Sequence, residues 1–247
     1  MIEFKQIHKA FGPKVVLNGV DLTINDGEVF FIIGSSGAGK SVLIKHLIGL
    51  LKPDAGEIWL DGEDVSKLTE QQLFRIRKVC AMVFQHSTLF DSMTCAENVA
   101  LPLRKHHALG KREALSEARR RLEIVHMEEF ADRYPAELGD GMRKRVAIAR
   151  ALTVEPRYVL FDEPTTSLDP VSARRVDRLI RELSDKLGVT SIVVSHDLTS
   201  IFAIADRVAM IYKGTFRKVG TPAEFRASDD GVLRQFVNGL AEGPMEV

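Results

Sequence analysis

The stretch VFFIIGSSGAGKS, Val29 to Ser41, joins a run of five apolar residues to a glycine-rich turn that ends in Lys40 and Ser41. The apolar run predicts a buried strand, and apolar residues at helical spacing from Val42 to Leu50 predict a helix that begins at Ser41. The turn itself, Gly34 to Ser41, fits the pattern G-x-x-x-x-G-K-[ST]. A strand, a phosphate-binding loop and a helix in this order predict an α/β fold.

The chemistry of this loop follows from its residue types. Glycines let the backbone wrap a polyphosphate, Lys40 is expected to reach the terminal phosphates, and the Ser41 hydroxyl is expected to hold Mg²⁺. A glycine-rich turn that merely linked strand to helix would explain neither Lys40 nor Ser41. The residues predicted to bind the nucleotide here are Gly34, Ser35, Ser36, Gly37, Ala38, Gly39, Lys40, Ser41 and Val42.

Two further apolar segments, YVLFDEP and SIVVSHD, end in polar residues. An amphipathic helical pattern lies between them, so the three elements predict a strand–helix–strand unit whose parallel strands present their carboxyl ends to a ligand. Asp162 is predicted to support the Mg²⁺ shell, and Glu163 is predicted to polarise the attacking water. A histidine at a strand end, such as His196, is usually packed or solvated, and only the neighbouring motifs favour a role at the site.

Composition narrows the class of partner. Lys plus Arg and Asp plus Glu both number 34, so no global basic field argues for nucleic acid. Cys80 and Cys95 form no C-x-x-C pair, which argues against a zinc site and against a disulfide-stapled domain. Alternating apolar residues near the N-terminus predict antiparallel strands, including a turn at Asp61-Gly62, whereas residues 86–155 are predominantly helical in pattern.

A phosphate loop, a strand-end Asp-Glu and a strand-end His, with a helical insert between the first two, resemble the nucleotide-binding subunit of an ABC transporter over about residues 1 to 225. The resemblance implies a P-loop NTPase of ABC type, with a mixed core sheet, an antiparallel β subdomain and an inserted helical subdomain. The implied ranges are 1–85 and 156–225 for the RecA-like and antiparallel-β nucleotide-binding core, 86–155 for the helical subdomain, and 226–247 for a C-terminal helix and tail.

The same resemblance implies function. The chain would bind ATP and Mg²⁺, pair with a second copy of itself around two ATP molecules, and drive a polytopic permease from the cytoplasmic face of the inner membrane. Phe11 resembles the aromatic residue that stacks on adenine, with Val16 beside it, although its pattern alone fits a core aromatic of a sheet better. Gln85 resembles the loop glutamine that contacts Mg²⁺ and the attacking water. Thr166 to Pro170 resembles the loop that joins the two subunits.

The segment LGDGM, Leu138 to Met142, aligns with the LSGGQ signature of this family, in which a helix mouth faces the γ-phosphate bound by the opposite subunit. The residues implied to contact that phosphate are Leu138, Gly139, Asp140 and Gly141. The missing serine hydroxyl removes a contact of about 0.5–1.5 kcal/mol. A carboxylate about 5 Å from a phosphate charge adds roughly 3 kcal/mol of repulsion at an effective dielectric constant of about 20. Arg143 and Lys144 offset part of this repulsion, unless Asp140 turns away to cap the helix.

Three hypotheses on function follow from these features. The methionine at 142 and the ending RQFVNGLAEGPMEV resemble the ATPases of Mla/Mce-type phospholipid transport systems, which implies an MCE-domain protein in the complex and, in some systems, a STAS-domain partner. An ATP-dependent binding switch with negligible hydrolysis is the second hypothesis, because of LGDGM. The ATPase of an amino-acid or other small-solute importer is the third. The apolar stripe of the tail fits either a subunit contact or packing on its own domain.

Overall fold

The computed structural model of the chain describes residues 1–106 and 108–245. The strands are β1 (Ile2–Phe11), β2 (Lys14–Ile24), β3 (Val29–Ile33), β4 (Ala55–Leu60), β5 (Glu63–Asp64), β6 (Cys80–Val83), β7 (Tyr158–Asp162), β8 (Thr190–Val194), β9 (Arg207–Tyr212) and β10 (Thr215–Gly220). The α-helices are α1 (Lys40–Leu47), α2 (Glu70–Val79), α3 (Cys95–His106), α4 (Lys111–Ile124), α5 (Asp140–Ala151), α6 (Pro170–Leu187), α7 (Leu198–Ile204), α8 (Pro222–Arg226) and α9 (Gly231–Asn238).

One sheet is the antiparallel region expected near the N-terminus. Its four strands lie in the order β2-β1-β4-β5, and all pairs between neighbours are antiparallel. Asp61 and Gly62 join β4 to β5 with φ values of 51° and 84°. Two consecutive positive φ angles match the right-handed twist of a hairpin, which is why an Asp-Gly pair suits this turn.

The second sheet has six strands in the order β10-β9-β3-β8-β7-β6, and all its pairs are parallel except β10 with β9. The predicted strand–helix–strand unit is therefore confirmed as β7, α6 and β8. Ile32 and Asp162 both pair with Val194, and Val83 pairs with Phe161. Four strands consequently end at the same edge of the sheet, and the loops that follow them converge there.

Hydrophobic packing covers both faces of the six-stranded sheet. Along β3, Phe31 and its alternate neighbours face one buried cluster, whereas Phe30 and Ile32 face a second cluster that the antiparallel sheet and α1 share. The first cluster also contains the buried faces of α3, α4, α5 and α6. Among the described residues, the helices of segment 86–155 thus share one buried cluster with the sheet.

Some elements differ from the sequence pattern. The helix expected to continue to Leu50 ends at Leu47, because the chain turns at Gly49, where φ is 67°. Helix α2 was not predicted from the sequence; within it only Leu73 and Ile76 are buried, and a capping box at Thr69 fixes its first turn. A two-residue apolar face is too short to give a recognisable helical period.

The C-terminal helix α9 packs on its own chain, as one of the two interpretations of the tail expected. Val232 and Leu233 are buried in the first cluster, and the backbone N–H of Met245 donates to Gln235 Oε1 over 2.6 Å. Glu246 and Val247, which complete the predicted tail, lie outside the described residues. Within the described part of the chain, none of the helices combines the length and apolarity needed to cross a bilayer.

Gly56 tests the packing between β4 and β1. Its φ is 94°, and a Cβ atom there would fall inside contact distance of the backbone carbonyls of Lys5 and Gln6. Gly56→Ala is expected to lower the free energy of unfolding in urea by about 2 to 3 kcal/mol, since it combines strain with a clash. Gly27→Ala is the matched control, because Gly27 has a φ of 78° but open space around its Cβ position. Equal losses in the two variants would contradict this account.

Candidate functional site

The loop between β3 and α1 has a backbone path that requires glycine. Gly34, Gly37 and Gly39 have φ values of 147°, 73° and 102°. A Cβ atom on Gly39 would lie 2.9 Å from Val16 Cγ1, so this glycine also lets the loop approach β2 closely. The backbone therefore curls in front of the N-terminus of α1, where free N–H groups and the helix dipole favour an anion.

Lys40 projects from the first residue of α1 into this loop. Its ammonium donates to the carbonyls of Gly34 and Ser35 over 2.9 Å and 3.0 Å, and it lies 3.9 Å from Glu163 Oε1. Only 6% of the residue is exposed. Burial lowers the pKa of Lys40, whereas the charges of Glu163 and Asp162 oppose that shift. The site therefore holds a fixed positive charge where phosphate oxygens would lie.

The next residue contacts the neighbouring strand β7. Ser41 Oγ donates to Asp162 Oδ1 over 2.5 Å, and Lys45 Nζ lies 3.7 Å from Asp162 Oδ2. A hydroxyl and a carboxylate that converge in this way are oxygen donors, which Mg²⁺ prefers. These donors would suit Mg²⁺, the metal that the sequence predicted, and Gln85, the third predicted ligand, lines the same cleft as Ser41.

Glu163 and His196 meet at the end of β7 and β8. His196 Nδ1 lies 2.9 Å from Glu163 Oε2, and Thr166 Oγ1 donates to the same oxygen over 3.0 Å. Glu163 has a φ of 49°, which is rare for a residue with a side chain, and its backbone N–H is held by the carbonyl of Val194 over 2.9 Å. Strain of this kind persists where surrounding structure fixes it, commonly at functional sites.

A polar network behind His196 holds the start of α7. Asp197 caps that helix through the backbone N–H groups of Thr199 and Ser200, and Arg174 Nη2 donates to Asp197 Oδ2 over 2.5 Å. Arg174 also pairs with Asp177 at 2.7 Å. Because Arg174 lies on α6, directly after the loop 166–170, this network links that loop to the residue next to His196.

The phosphate loop, Lys40, Glu163 and His196 line one cleft of about 740 Å³. Phe11 lies at its rim and is 47% exposed, so the interpretation of Phe11 as a core aromatic is wrong. Gln85, which follows β6, lies on the opposite wall. The predicted residues lining the cleft are Phe11, Val16, Gly34, Ser35, Ser36, Gly37, Ala38, Gly39, Lys40, Ser41, Val42, Gln85, Glu163 and His196.

Three lining residues were not predicted from the sequence: Lys14, Thr166 as a wall residue, and Phe236 of α9. Phe236 belongs to the apolar stripe of the tail, but a helical stripe does not reveal which part of the chain it packs against. Lys14 is the first residue of β2 and pairs with Phe11 of β1, and a basic residue there gives no pattern of its own.

The signature segment lies apart from this cleft within the chain. Leu138 is buried in the first cluster, and its carbonyl accepts from Arg143 Nη1 over 2.8 Å. Gly139 precedes α5 and provides no side-chain cap, and Gly141 lies against Ser172 of α6, where a Cβ would come within 2.7 Å. Asp140 is one wall of a second cavity of about 240 Å³ that also includes Gln85.

The Asp140 carboxylate binds the Arg143 guanidinium one turn along α5, where Asp140 is exposed and Arg143 is half-buried. The expectation that Asp140 would cap the N–H groups of its own helix is therefore wrong. Arg143 Nη1 and Nη2 instead divide between the Leu138 carbonyl and the Asp140 carboxylate. An exposed ion pair of this kind contributes about 0.2–1 kcal/mol, so it partly offsets the negative charge at the helix mouth.

Comparison with known proteins agrees with this geometry. Residues 17–166 match the profile of the family described as ABC transporter. The chain belongs to the ABC transporter family. A dimeric ATP-binding cassette, MJ0796, solved in a post-hydrolysis state with ADP and Pi, has a TM-score of 0.81 and 32% identity over 90% of this chain and 99% of that chain. The cbiO1 protein of Clostridium perfringens, part of the cbiONQ ABC transporter complex, has a TM-score of 0.85 and 28% identity over 97% and 95% of the two chains.

Curated relatives are transport ATP-binding proteins. The methionine import ATP-binding protein MetN of Rhizobium johnstonii is 42% identical over 89% of this chain and 60% of its own length. The probable ribonucleotide transport ATP-binding protein mkl of Mycobacterium leprae is 36% identical over 99% of this chain and 70% of its own. The chain spans about three fifths of the length of the MetN proteins, from 59% to 66%. Neither name supports the resemblance to Mla/Mce-type ATPases.

Asp177 gives the network behind His196 a pH dependence. Burial raises the pKa of Asp177 to about 6, against the opposing effects of Ser200 and Arg174. The native state therefore binds this proton more tightly than the unfolded chain does, and the contribution of Asp177 to stability falls as pH rises from about 4 to about 6. The free energy of unfolding of Asp177→Asn, taken relative to wild type at the same pH, should therefore be about 1 to 1.5 kcal/mol higher at about pH 8 than at about pH 5.

Urea unfolding of both proteins at the two pH values measures this difference. Asp185→Asn is the control, because Asp185 lies on the same helix with an exposed carboxylate and its pKa is lowered by Arg181. A lowered carboxyl pKa changes the free energy of unfolding only in acid. The free energy of unfolding of the control should therefore depend on pH in the same way as that of wild type over this range. Parallel behaviour of Asp177→Asn as well would show that its charge is not costly in the folded protein.

Proposed function

We propose that this chain hydrolyses ATP as the nucleotide-binding subunit of an ABC transporter, on the cytoplasmic face of the inner membrane, where a polytopic permease anchors it. The observation that carries the proposal is the contact of His196 Nδ1 with Glu163 Oε2 at 2.9 Å, beside the buried Lys40 and the phosphate loop. A site that only bound nucleotide would need the loop and the lysine. It would have no need for a carboxylate and an imidazole placed together in the same cleft.

Each residue then has a distinct task. Backbone N–H groups of the loop and the Lys40 ammonium bind the β- and γ-phosphates, and Phe11 stacks on the adenine. Glu163 accepts a hydrogen bond from the attacking water and orients it toward the γ-phosphate, and His196 contacts both that carboxylate and the phosphate. Ser41, Asp162 and Gln85 would hold Mg²⁺, which supplies positive charge to the phosphate oxygens when bound.

The site is completed by a second copy of the chain. The signature residues Leu138, Gly139, Asp140 and Gly141 do not line the cleft that contains the phosphate loop, so their contact with a γ-phosphate has to come from another molecule. The loop 166–170 adjoins Glu163 and the Asp140 cavity, which suits a role at the boundary of the two chains. Two chains would enclose two ATP molecules, each between the loop of one chain and α5 of the other.

A binding switch is the second candidate, and Asp140 is the observation in its favour. Its carboxylate is 63% exposed in side-chain area at the mouth of α5, and Arg143 is its ion-pair partner there. Without that partner the carboxylate would repel phosphate by roughly 3 kcal/mol per charge pair. The switch hypothesis predicts tight ATP binding without turnover.

For the transported molecule, we propose a small solute such as an amino acid. Relatives at about two fifths identity carry the name methionine import ATP-binding protein, which supports this class. Phospholipid transport, with an MCE-domain protein and a STAS-domain protein in the complex, is kept as the second candidate. It is favoured by Met142 and by the ending RQFVNGLAEGPMEV, of which Phe236 lines the nucleotide cleft.

Replacing Glu163 tests hydrolysis against binding. Glu163→Gln is expected to lower Mg-ATP turnover at least about 100-fold, because the amide cannot accept the proton of the water. The Kd for ATP should change by no more than about threefold, since Lys40 and the loop are intact. Glu155→Gln, on the surface and paired with Arg121, is the matched control and should retain turnover. ATP binding without turnover in wild type would favour the switch.

The signature is tested by restoring the serine and the glycine together. Gly139→Ser with Asp140→Gly should raise the turnover number several-fold. The first change adds a hydroxyl donor, and the second removes a repulsive carboxylate. The assay is steady-state phosphate release at saturating Mg-ATP. Arg143→Ala alone is the companion variant, and it should lower turnover because it leaves Asp140 unpaired. An unchanged or lower rate in the double variant would mean that Asp140 does not face the phosphate.

The transported molecule is tested with the native complex. The tagged chain is purified from its own membrane with its permease, partners are identified by mass spectrometry, and the complex is placed in proteoliposomes. ATP-dependent uptake of labelled methionine or another amino acid is the expected result. Recovery of an MCE-domain protein, with ATP-dependent movement of phospholipid between vesicles, would contradict it and support the second candidate.

A further inference from the structure

Two cations on α5 hold the segment that contains Gln85. Lys144 Nζ donates to the carbonyls of Phe84 and Gln85 over 2.9 Å and 2.6 Å. Two turns further along the helix, Arg150 donates to the carbonyl of Thr88 over 2.9 Å and to its Oγ1 over 3.0 Å. A fourth carbonyl, that of Ser87, accepts from Arg150 Nη2 over 3.4 Å. We call Lys144 and Arg150 the α5 clamp.

The segment held by the α5 clamp has little regular structure. Residues 84–90 belong to neither a helix nor a strand, and Gln85 and His86 are exposed. Thr88 has a φ of 48°, a conformation that a residue with a branched side chain adopts only when its surroundings fix it. The carbonyls on both sides of that bend are the ones that α5 binds. The path of the segment is therefore set largely by side chains of α5.

Burial of the Lys144 ammonium for these contacts carries a desolvation cost. Only 2% of the residue is exposed, and its ammonium is surrounded by carbonyl oxygens of the loop while the carboxylates of Asp162 and Asp140 act on it from farther away. Loss of these two carbonyls would leave a largely buried cation without these hydrogen-bond acceptors, which costs free energy. The contact consequently behaves as a firm tie between α5 and Gln85.

The position of this tie in the site gives it a function. Asp140, at the mouth of α5, is four residues before Lys144, so the two are about one turn and roughly 6 Å apart along the same rigid helix. In the proposed two-chain arrangement that mouth contacts the ATP held by the partner. Gln85, at the other end of the tie, lies in the cleft that holds the chain's own ATP.

We propose that Lys144 is a positioning residue that transmits the contact between α5 and the partner's ATP to Gln85 on the chain's own ATP. The inference rests on the proposed function, because it assigns a role within that same composite site. Through this one side chain, nucleotide binding at one ATP site of a dimer would be coupled to the other ATP site. Lys144 does not line the nucleotide cleft and acts through the carbonyl of Gln85.

Kinetics of matched variants test the proposal. Lys144→Met keeps the length of the side chain and removes its donors, and it should lower kcat about tenfold, equivalent to about 1.4 kcal/mol, with a change in KM below about threefold. Lys144→Arg should recover at least half of the lost rate, because it restores the donors. Arg150→Met is the matched control on the same helix and the same segment, and it should affect kcat less, since its bonds fall beyond Gln85.

A double-mutant cycle separates positioning from general structural damage. In a Gln85→Ala background, Lys144→Met should change kcat by less than about twofold, because the group on which it acts is already absent. Undiminished loss of rate in that background would overturn the proposal, as would a kcat in Lys144→Met equal to that of wild type. Thermal unfolding of each variant checks that the fold is retained.

Hydrogen exchange gives a measurement that does not depend on turnover. In Glu163→Gln with Mg-ATP, amides of residues 84–90 and 138–144 should become protected together, whereas Lys144→Met in that background should leave 138–144 protected and 84–90 exchanging as without ATP. Joint protection in both proteins would overturn the proposal. A wild type with no ATPase activity would remove the proposed function, and exchange would still decide whether Lys144 ties α5 to Gln85.

Discussion

Four parallel strands, β3, β8, β7 and β6, end in register at one edge of the sheet, and the arrangement of the site follows from that register. Ile32 and Asp162 both pair with Val194, so the phosphate loop, the Asp162–Glu163 pair and His196 emerge side by side. Val83 pairs with Phe161, which brings Gln85 to the same edge. A slip of one residue in any of these pairs would turn alternate side chains to the opposite face of the sheet. Both faces are buried, and their packing prevents such a slip.

Electrostatics then decides what this edge can hold. Lys40 is buried among carbonyls, and burial lowers its pKa, yet the nearby carboxylates of Glu163 and Asp162 keep its charge favourable. The same carboxylates are available for water and for a metal, so one cluster of charges serves both binding and chemistry. The signature helix contributes the opposite sign at its mouth, where Asp140 is moderated by Arg143. In the proposed arrangement, the mouth of α5 therefore attracts phosphate less than the loop around Lys40 does.

The sequence predicted the parts of the site that a local pattern encodes. The segment Gly34–Ser41, the strand ends at Asp162 and His196, and the antiparallel hairpin at Asp61 need only neighbouring residues to be recognised, and the structure places each as expected. Phe236 and the α5 clamp could not be predicted, because their partners lie far away along the chain and no period marks them. The direction of the Asp140 carboxylate could not be predicted either. The same sequence allows it to cap backbone N–H groups of its own helix or to pair with the Arg143 guanidinium.

In the proposed dimer, each ATP site is built from two chains. The most direct test measures Mg-ATP turnover per chain over a range of protein concentrations without the permease, with sedimentation velocity on the same samples. The account predicts that turnover per chain rises with concentration in parallel with the fraction of dimer. A turnover per chain that stays constant while the protein sediments as a monomer would contradict it, because a single chain would then contain a complete site.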